Sequence, residues 1–196
     1  MTKPAIAELP QEEVRRARIL EGATEVFLAY GYQRTTMEDI AQAAEISRPA
    51  LYQHFRNKTD IYRALAADFL QRFLKTAEHS LNGAGELAAR LDRALGGTLD
   101  MMLEIEASAH GAEIIDMRGS LAADIVAEGR VRMQSLFETT IAVEAERLGR
   151  PRAVAVAIAS IILDALDGMR LRNPPLEEQR ATLSAYIRVA VSALEA

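Results

Sequence analysis

Cysteine and tryptophan are both absent from the 196 residues. Without cysteine there is no disulfide framework, no thiolate metal site and no thiol nucleophile, and a reducing compartment suits the chain. Aromatic residues make up only 5%, and alanine is abundant, a balance that favours closely packed helices over sheets. No apolar run is long enough to cross a bilayer: the longest, AVAVAIASIIL from Ala153 to Leu163, falls short of a spanning helix, and the N-terminus lacks the apolar core of a signal peptide. No membrane partner is expected, and the cytoplasm is the default location. A positive excess is missing too. The net charge is -5, and residues 1–60 alone carry eight Lys/Arg against nine Asp/Glu. Binding to nucleic acid must therefore come from local placement of charge rather than from bulk.

What is present reads as an all-α protein of about nine helices. Residues 1–9 form a leader, and Pro10, followed by Glu12 and Glu13, opens a first helix at the end where carboxylates favour the helix dipole. Gly31 ends it. Thr35 or Thr36 caps a second helix, with Glu38 or Asp39 three residues on as a capping box requires. Ser47 caps a third. Pro49 falls at its second position, where a missing N–H costs no intrahelical bond. Ile46 before the cap and Leu51 after it match a hydrophobic staple. This helix of about eight residues is too short to stand alone in water. Leu51 and Phe55 turn inward, and Arg48, Tyr52 and Gln53 outward. Thr59 caps a long fourth helix, and NGAG at 82–85 reads as a domain hinge. Further helices are expected near 86–106, 108–117, 120–148, 151–170 and 175–194, with NPP at 173–175 between the last two.

Two short helices joined by a tight turn, the second presenting polar side chains, form the helix-turn-helix arrangement that reaches the major groove. The stretch Gly31–Leu65, GYQRTTMEDIAQAAEISRPALYQHFRNKTDIYRAL, resembles the N-terminal signature of TetR-type transcriptional regulators. The resemblance rests on Gly31, Thr35-Thr36, Asp39-Ile40-Ala41, Ala44, Ile46-Ser47, Leu51-Tyr52, His54-Phe55 and Asn57-Lys58. It covers about the first third of the chain. One departure is Glu45, where the family more often has glycine. Glycine tolerates positive φ at little cost and Glu does not.

The resemblance implies a DNA-binding domain over residues 1–60, with the start of a connecting helix at 59–81, and a domain for effector binding and dimerisation over 61–196. It implies DNA contacts from Thr35, Thr36, Ser47, Arg48, Pro49, Ala50, Tyr52, Gln53, His54 and Lys58. Arg48 is the candidate reader of a guanine edge, Pro49 of a thymine methyl, and Tyr52 and His54 donors to phosphate. Arg48 can instead clamp a phosphate or pair with Glu45. Arg15, Arg16 and Arg18 can touch the flanking DNA backbone or pair with Glu12, Glu13 and Glu21 along their own helix, and the pairing is the favoured expectation.

The remaining two-thirds holds no nucleophile–base pair, no phosphate loop and no metal-ligand spacing. No enzyme activity, cofactor or metal is expected, and His110 beside Glu106 and Glu113 is read as an exposed or core-edge histidine. Met101, Met102, Ile105, Ile114, Met117, Ile125, Met133 and Phe137 are candidate walls of an adaptable pocket, or ordinary core. In the last two helices, Val154, Ile158, Ile161, Ile162, Ala165 and Met169 form one apolar face, and Leu183, Ile187, Ala190, Val191 and Leu194 another. Paired with their symmetry mates they would make a four-helix interface. Asp164 and Asp167 are expected at its rim or paired with Arg170 or Arg172. The expectation is a homodimeric repressor on a pseudo-palindromic double-stranded DNA operator, released by a small apolar or amphipathic effector. The rival is a helical ligand-binding or interaction module that has lost DNA binding.

Overall fold

The computed structural model describes residues 10–172 and 174–195, with the side chains at 170, 171, 176 and 177 left aside. The expected leader at 1–9 and Asn173 of the NPP break lie outside the described residues. These form α1 (Gln11–Tyr30), α2 (Met37–Ala43), α3 (Arg48–His54), α4 (Lys58–Leu81), α5 (Leu87–Glu106), α6 (Gly111–Asp116), α7 (Arg118–Leu121), α8 (Ala123–Arg147), α9 (Arg152–Arg172) and α10 (Leu176–Glu195). The architecture is all-α. Among the described residues there are ten helical segments: α6 lies within the stretch read as 108–117, and the single turn α7 is an added segment before α8, which starts at Ala123 rather than 120.

Local signals set most boundaries. Gly31, at φ 81, closes α1 with its N–H on the Phe27 carbonyl. Thr36 and Asp39 supply the capping box of α2. The Ser47 hydroxyl accepts the Ala50 N–H at the head of α3. The cap of α4 differs from expectation: Asn57 Oδ1 accepts the Asp60 N–H at 2.9 Å. The Thr59 hydroxyl instead shares a 2.9 Å hydrogen bond with the Tyr32 phenol.

The chain divides into two compact units. The first joins the described residues up to Phe69 with Glu104–Ile125. Its core is Ile19, Ala23, Val26, Phe27, Tyr32, Ile40, Leu51, Phe55, Ile61 and Tyr62, closed by Ala122 from the later segment. Gly22 lets α1 approach the end of α2: a Cβ there would lie 2.7 Å from the Ala44 nitrogen. The second unit comprises Leu70–Leu103 and the described residues from Val126 onward. Leu91, Leu95, Phe137, Ile141, Ile158, Ile162, Leu183, Ile187 and Leu194 fill its core.

The expected boundary at residue 60 falls instead at Phe69, within α4, and residues 104–125 join the N-terminal unit. The NGAG stretch is a turn inside the second unit, since both helices it links there, the end of α4 and the start of α5, belong to that unit. Among the described residues no helix is long and apolar enough to cross a membrane.

Candidate nucleic-acid interface

The third helix has one buried residue, Leu51, at 0% exposure. This anchor, with Phe55 at its C-terminal end and Ile46 packed on the same core, holds a seven-residue helix that has too few internal bonds to persist alone. The opposite surface carries Arg48, Pro49, Tyr52 and Gln53, all exposed. Arg48 stands over the Tyr52 ring, 5.7 Å from its centroid, and 3.9 Å from Glu38 on α2. Tyr52 and Glu38 both favour the charged guanidinium. Arg48 therefore pairs with Glu38 rather than Glu45. Glu45 reaches back to Arg18 on α1 at 2.7 Å, and it adopts positive φ, 53°, without being glycine.

Three residues expected to contact DNA point elsewhere. Thr35 is 2% exposed, and its hydroxyl donates to the Gly31 carbonyl at 2.8 Å. Lys58 donates to the carbonyls of Tyr32 and Gln33 and, at 2.8 Å, to that of Thr35. It also lies 4.3 Å from the Tyr32 ring centroid. Burial there pushes its pKa down, and Glu113 opposes the shift. The His54 side chain is 6% exposed, with Nδ1 3.2 Å from Glu12 of α1. All three are braces: His54 and Lys58 meet partners that the fold brings close, and Thr35 bonds a carbonyl four residues back.

Thr36 is exposed, but its hydroxyl proton lies on Asp39 Oδ2 at 2.7 Å and its N–H donates to the same oxygen at 2.8 Å. These two donations hold the Asp39 carboxyl below its ordinary pKa. Ser47 is exposed and Ala50 partly buried at the head of α3. Arg16 stacks on Phe55 at 5.0 Å. With Arg18 on Glu45, two of the three α1 arginines thus look to other elements rather than along their own helix.

The later segment completes this unit. The Tyr62 phenol donates to the Ile114 carbonyl at 2.6 Å, and burial pushes its pKa up to about 12. Arg63 forks onto Asp124 at 2.6 and 2.7 Å and donates to the Leu121 carbonyl at 2.8 Å. The His110 N–H donates to the Leu28 carbonyl at 3.2 Å. None of these pairs is visible as a sequence pattern, since tens of residues separate the partners.

The eight candidate pocket residues do not come together in one unit. Ile114, Met117 and Ile125 pack against the core of the first, and Ile105 belongs to it. Met133 and Phe137 are buried in the core of the second, to which Met101 and Met102 also belong. The second unit has an open cleft of about 380 Å³ between α4 and α8, lined by Gln71, Leu74, Lys75, Glu78, Arg132, Ser135 and Leu136. It is more polar than the methionine-rich pocket expected.

The candidate dimer face also needs correction. Ile158, Ile162, Met169, Leu183, Ile187, Ala190, Val191 and Leu194 are buried within the chain itself, and Val154 and Ala165 partly so. They hold α9 and α10 onto their own unit, so an apolar stripe that looked free for a partner is already covered. Of the expected set only Ile161 is exposed, at 57%. Val156 on the same helix, at 40%, and Val189 on α10, at 73%, are exposed as well. Asp164 and Asp167 both bind Arg130 of α8, the former at 2.5 Å.

Residues 19–65 match the family model described as bacterial regulatory proteins, tetR family. Over 183 residues, 88% of this chain and 80% of the relative, the sequence is 27% identical to the HTH-type transcriptional activator FasR of Mycolicibacterium smegmatis. Over 63 residues, 32% of this chain and 34% of the relative, it is 40% identical to the HTH-type transcriptional repressor Rv1474c of Mycobacterium tuberculosis. A TetR-family transcriptional regulator of Mesorhizobium loti superposes with a TM-score of 0.73 at 15% identity, over 94% of this chain and 98% of that one. SmeT, repressor of the Stenotrophomonas maltophilia multidrug efflux pump SmeDEF, gives 0.62 at 20% over 91% and 89%. The family model over the helix-turn-helix with its anchored, outward-facing third helix, the relatives named as HTH-type transcriptional regulators and the fold shared with TetR-family structures all support a TetR-type regulator.

Proposed function

We propose that the protein is a homodimeric, ligand-responsive repressor that places α3 of each subunit in successive major grooves of a pseudo-palindromic operator. The observation that carries this is the third helix. Its buried Leu51 fixes the backbone while Arg48, Pro49, Tyr52 and Gln53 stand exposed together. Arg48 addresses a guanine edge, Tyr52 a phosphate, and Gln53 a base or phosphate. The names of the relatives support regulation in either direction, one being an activator and another a repressor.

A two-fold pairing through exposed Val156 and Ile161 of α9 and Val189 of α10 would set half-sites about one helical turn apart. The effector is assigned to the second unit. Its α4–α8 cleft joins Leu74 and Leu136 to Lys75, Arg132 and Ser135, a lining that suits an amphipathic ligand, and its volume falls within the range of small-molecule sites. SmeT, which shares the fold, has been solved as a triclosan complex. Release requires only that the effector prefer one of two dimer states by a few kcal/mol.

Selection of fragments bound by the full chain from random duplex DNA tests the reading. Recovery of a sequence with two-fold symmetry supports it, and recovery of no enriched sequence overturns it.

A further inference from the structure

The candidate DNA face offers few free cations. Arg18 is tied to Glu45, His54 to Glu12 and Lys58 to backbone carbonyls. Arg48 is the cation of α3 that faces outward, and it is held on two sides: Tyr52 lies one turn along the same helix and Glu38 comes from α2. Both charged side chains are largely exposed, Arg48 at 57% and Glu38 at 65%. A solvated arginine gains nothing for the fold from so open a pair. The pairing matters instead for where the guanidinium points, because an arginine has five donors and a base edge uses only two of them.

We propose that Glu38 is a positioning residue for base reading. It engages one side of the Arg48 guanidinium and, with the Tyr52 ring beneath, aims the remaining fork into the groove and away from the sugar-phosphate backbone. This rests on the reading of α3 as the recognition helix. In a specific complex Glu38 stays paired, and two Arg48 donors meet a guanine edge in a geometry already formed. On the wrong sequence the same pairing denies Arg48 to phosphate. Glu38 therefore raises specificity from both ends, by pre-organising the correct contact and by withholding a sequence-independent one.

The test compares the full-length chain with Glu38→Gln, Arg48→Ala and the double variant. Two fluorescent duplexes serve as probes: the sequence recovered by selection and its scrambled counterpart, each titrated at several salt concentrations. Glu45→Gln provides the same charge change without touching Arg48. Glu38→Gln is expected to weaken the selected duplex and tighten the scrambled one, each by about two- to tenfold, so the specificity ratio falls. In the Arg48→Ala background the same substitution should move both duplexes alike. If Glu38→Gln tightens both equally, as Glu45→Gln should, or changes neither, the proposal is overturned while DNA binding stands. If the parent chain binds neither duplex, the reading of α3 itself fails.

Discussion

Lys58 donates to the Thr35 carbonyl at 2.8 Å and lies 4.3 Å above the Tyr32 ring, so its charge is spent inside the N-terminal unit on the loop between α1 and α2. Replacing it by alanine leaves carbonyls in that loop without a donor. Lys58→Ala should lower the stability of the unit by about 1 to 3 kcal/mol, read as a shift in denaturant midpoint. At temperatures where the variant is folded, the salt dependence of DNA binding should keep its slope, because no phosphate contact is lost. A slope reduced by about one would return Lys58 to the DNA interface.

Arg63 and Asp124 make a forked pair that closes residues 104–125 onto α4. Arg63 holds the Asp124 carboxyl from 3.8 down to about 2. A carboxyl whose pKa is lower in the folded than in the unfolded state stabilises fully above pH 3.8, and that contribution is lost as pH falls through about 2. The denaturation midpoint of Asp124→Asn should therefore lie below that of the parent at pH 7, with the gap narrowing between pH 4 and pH 2. A gap that stays constant across that window would show that the pair is not the source.

Glu45 turns the chain at φ 53, a conformation that costs a side-chain-bearing residue roughly 1 kcal/mol. Glu45→Gly should raise stability by about 0.5 to 1 kcal/mol despite losing the exposed Arg18 pair. Glu45→Ala, which loses the pair and keeps the strain, should raise nothing. Equal midpoints for the two variants would contradict this account of the turn.

Signals confined to a few neighbouring residues were legible in the sequence. Thr36 with Asp39, Ser47 with Ala50, and Gly31 with Phe27 mark helix ends through bonds made within one turn, and they stand where the chain places them. Inward and outward positions of α3 follow from the same periodicity. Side chains whose partners lie far along the chain were not legible: His54 and Lys58 have donors suited to phosphate, and only the fold reveals that Glu12 and Tyr32 claim them, while the inward turn of Thr35 onto Gly31 shows only once the loop between α1 and α2 is formed. The apolar stripes of α9 and α10 are a similar case. Periodicity shows that a face is buried but not whether the cover is its own chain or a second copy. Residues 104–125 follow the second unit in sequence and the first in space. Tyr62, Arg63 and Ala122 join them to it by contacts that leave no local pattern.

Assembly offers a separate check. Ile161 and Val189 are 57% and 73% exposed, while most of the stripe residues on the same helices are buried within the chain. The parent should sediment as a dimer at micromolar concentration, and Ile161→Arg with Val189→Arg as a folded monomer, since two charges would have to be buried on pairing. A double variant that remains dimeric would place the interface elsewhere.

Direct titration of the selected duplex with the full chain and with the Arg48→Ala, Tyr52→Ala double variant tests the central claim most closely. Both side chains are exposed and neither belongs to the core, so helicity and melting temperature should be unchanged. The parent should bind with an affinity that falls steeply with salt. The double variant should lose at least about tenfold of that affinity and most of its preference for the selected sequence. A double variant that binds and discriminates like the parent would contradict the assignment of α3 as the element that reads DNA.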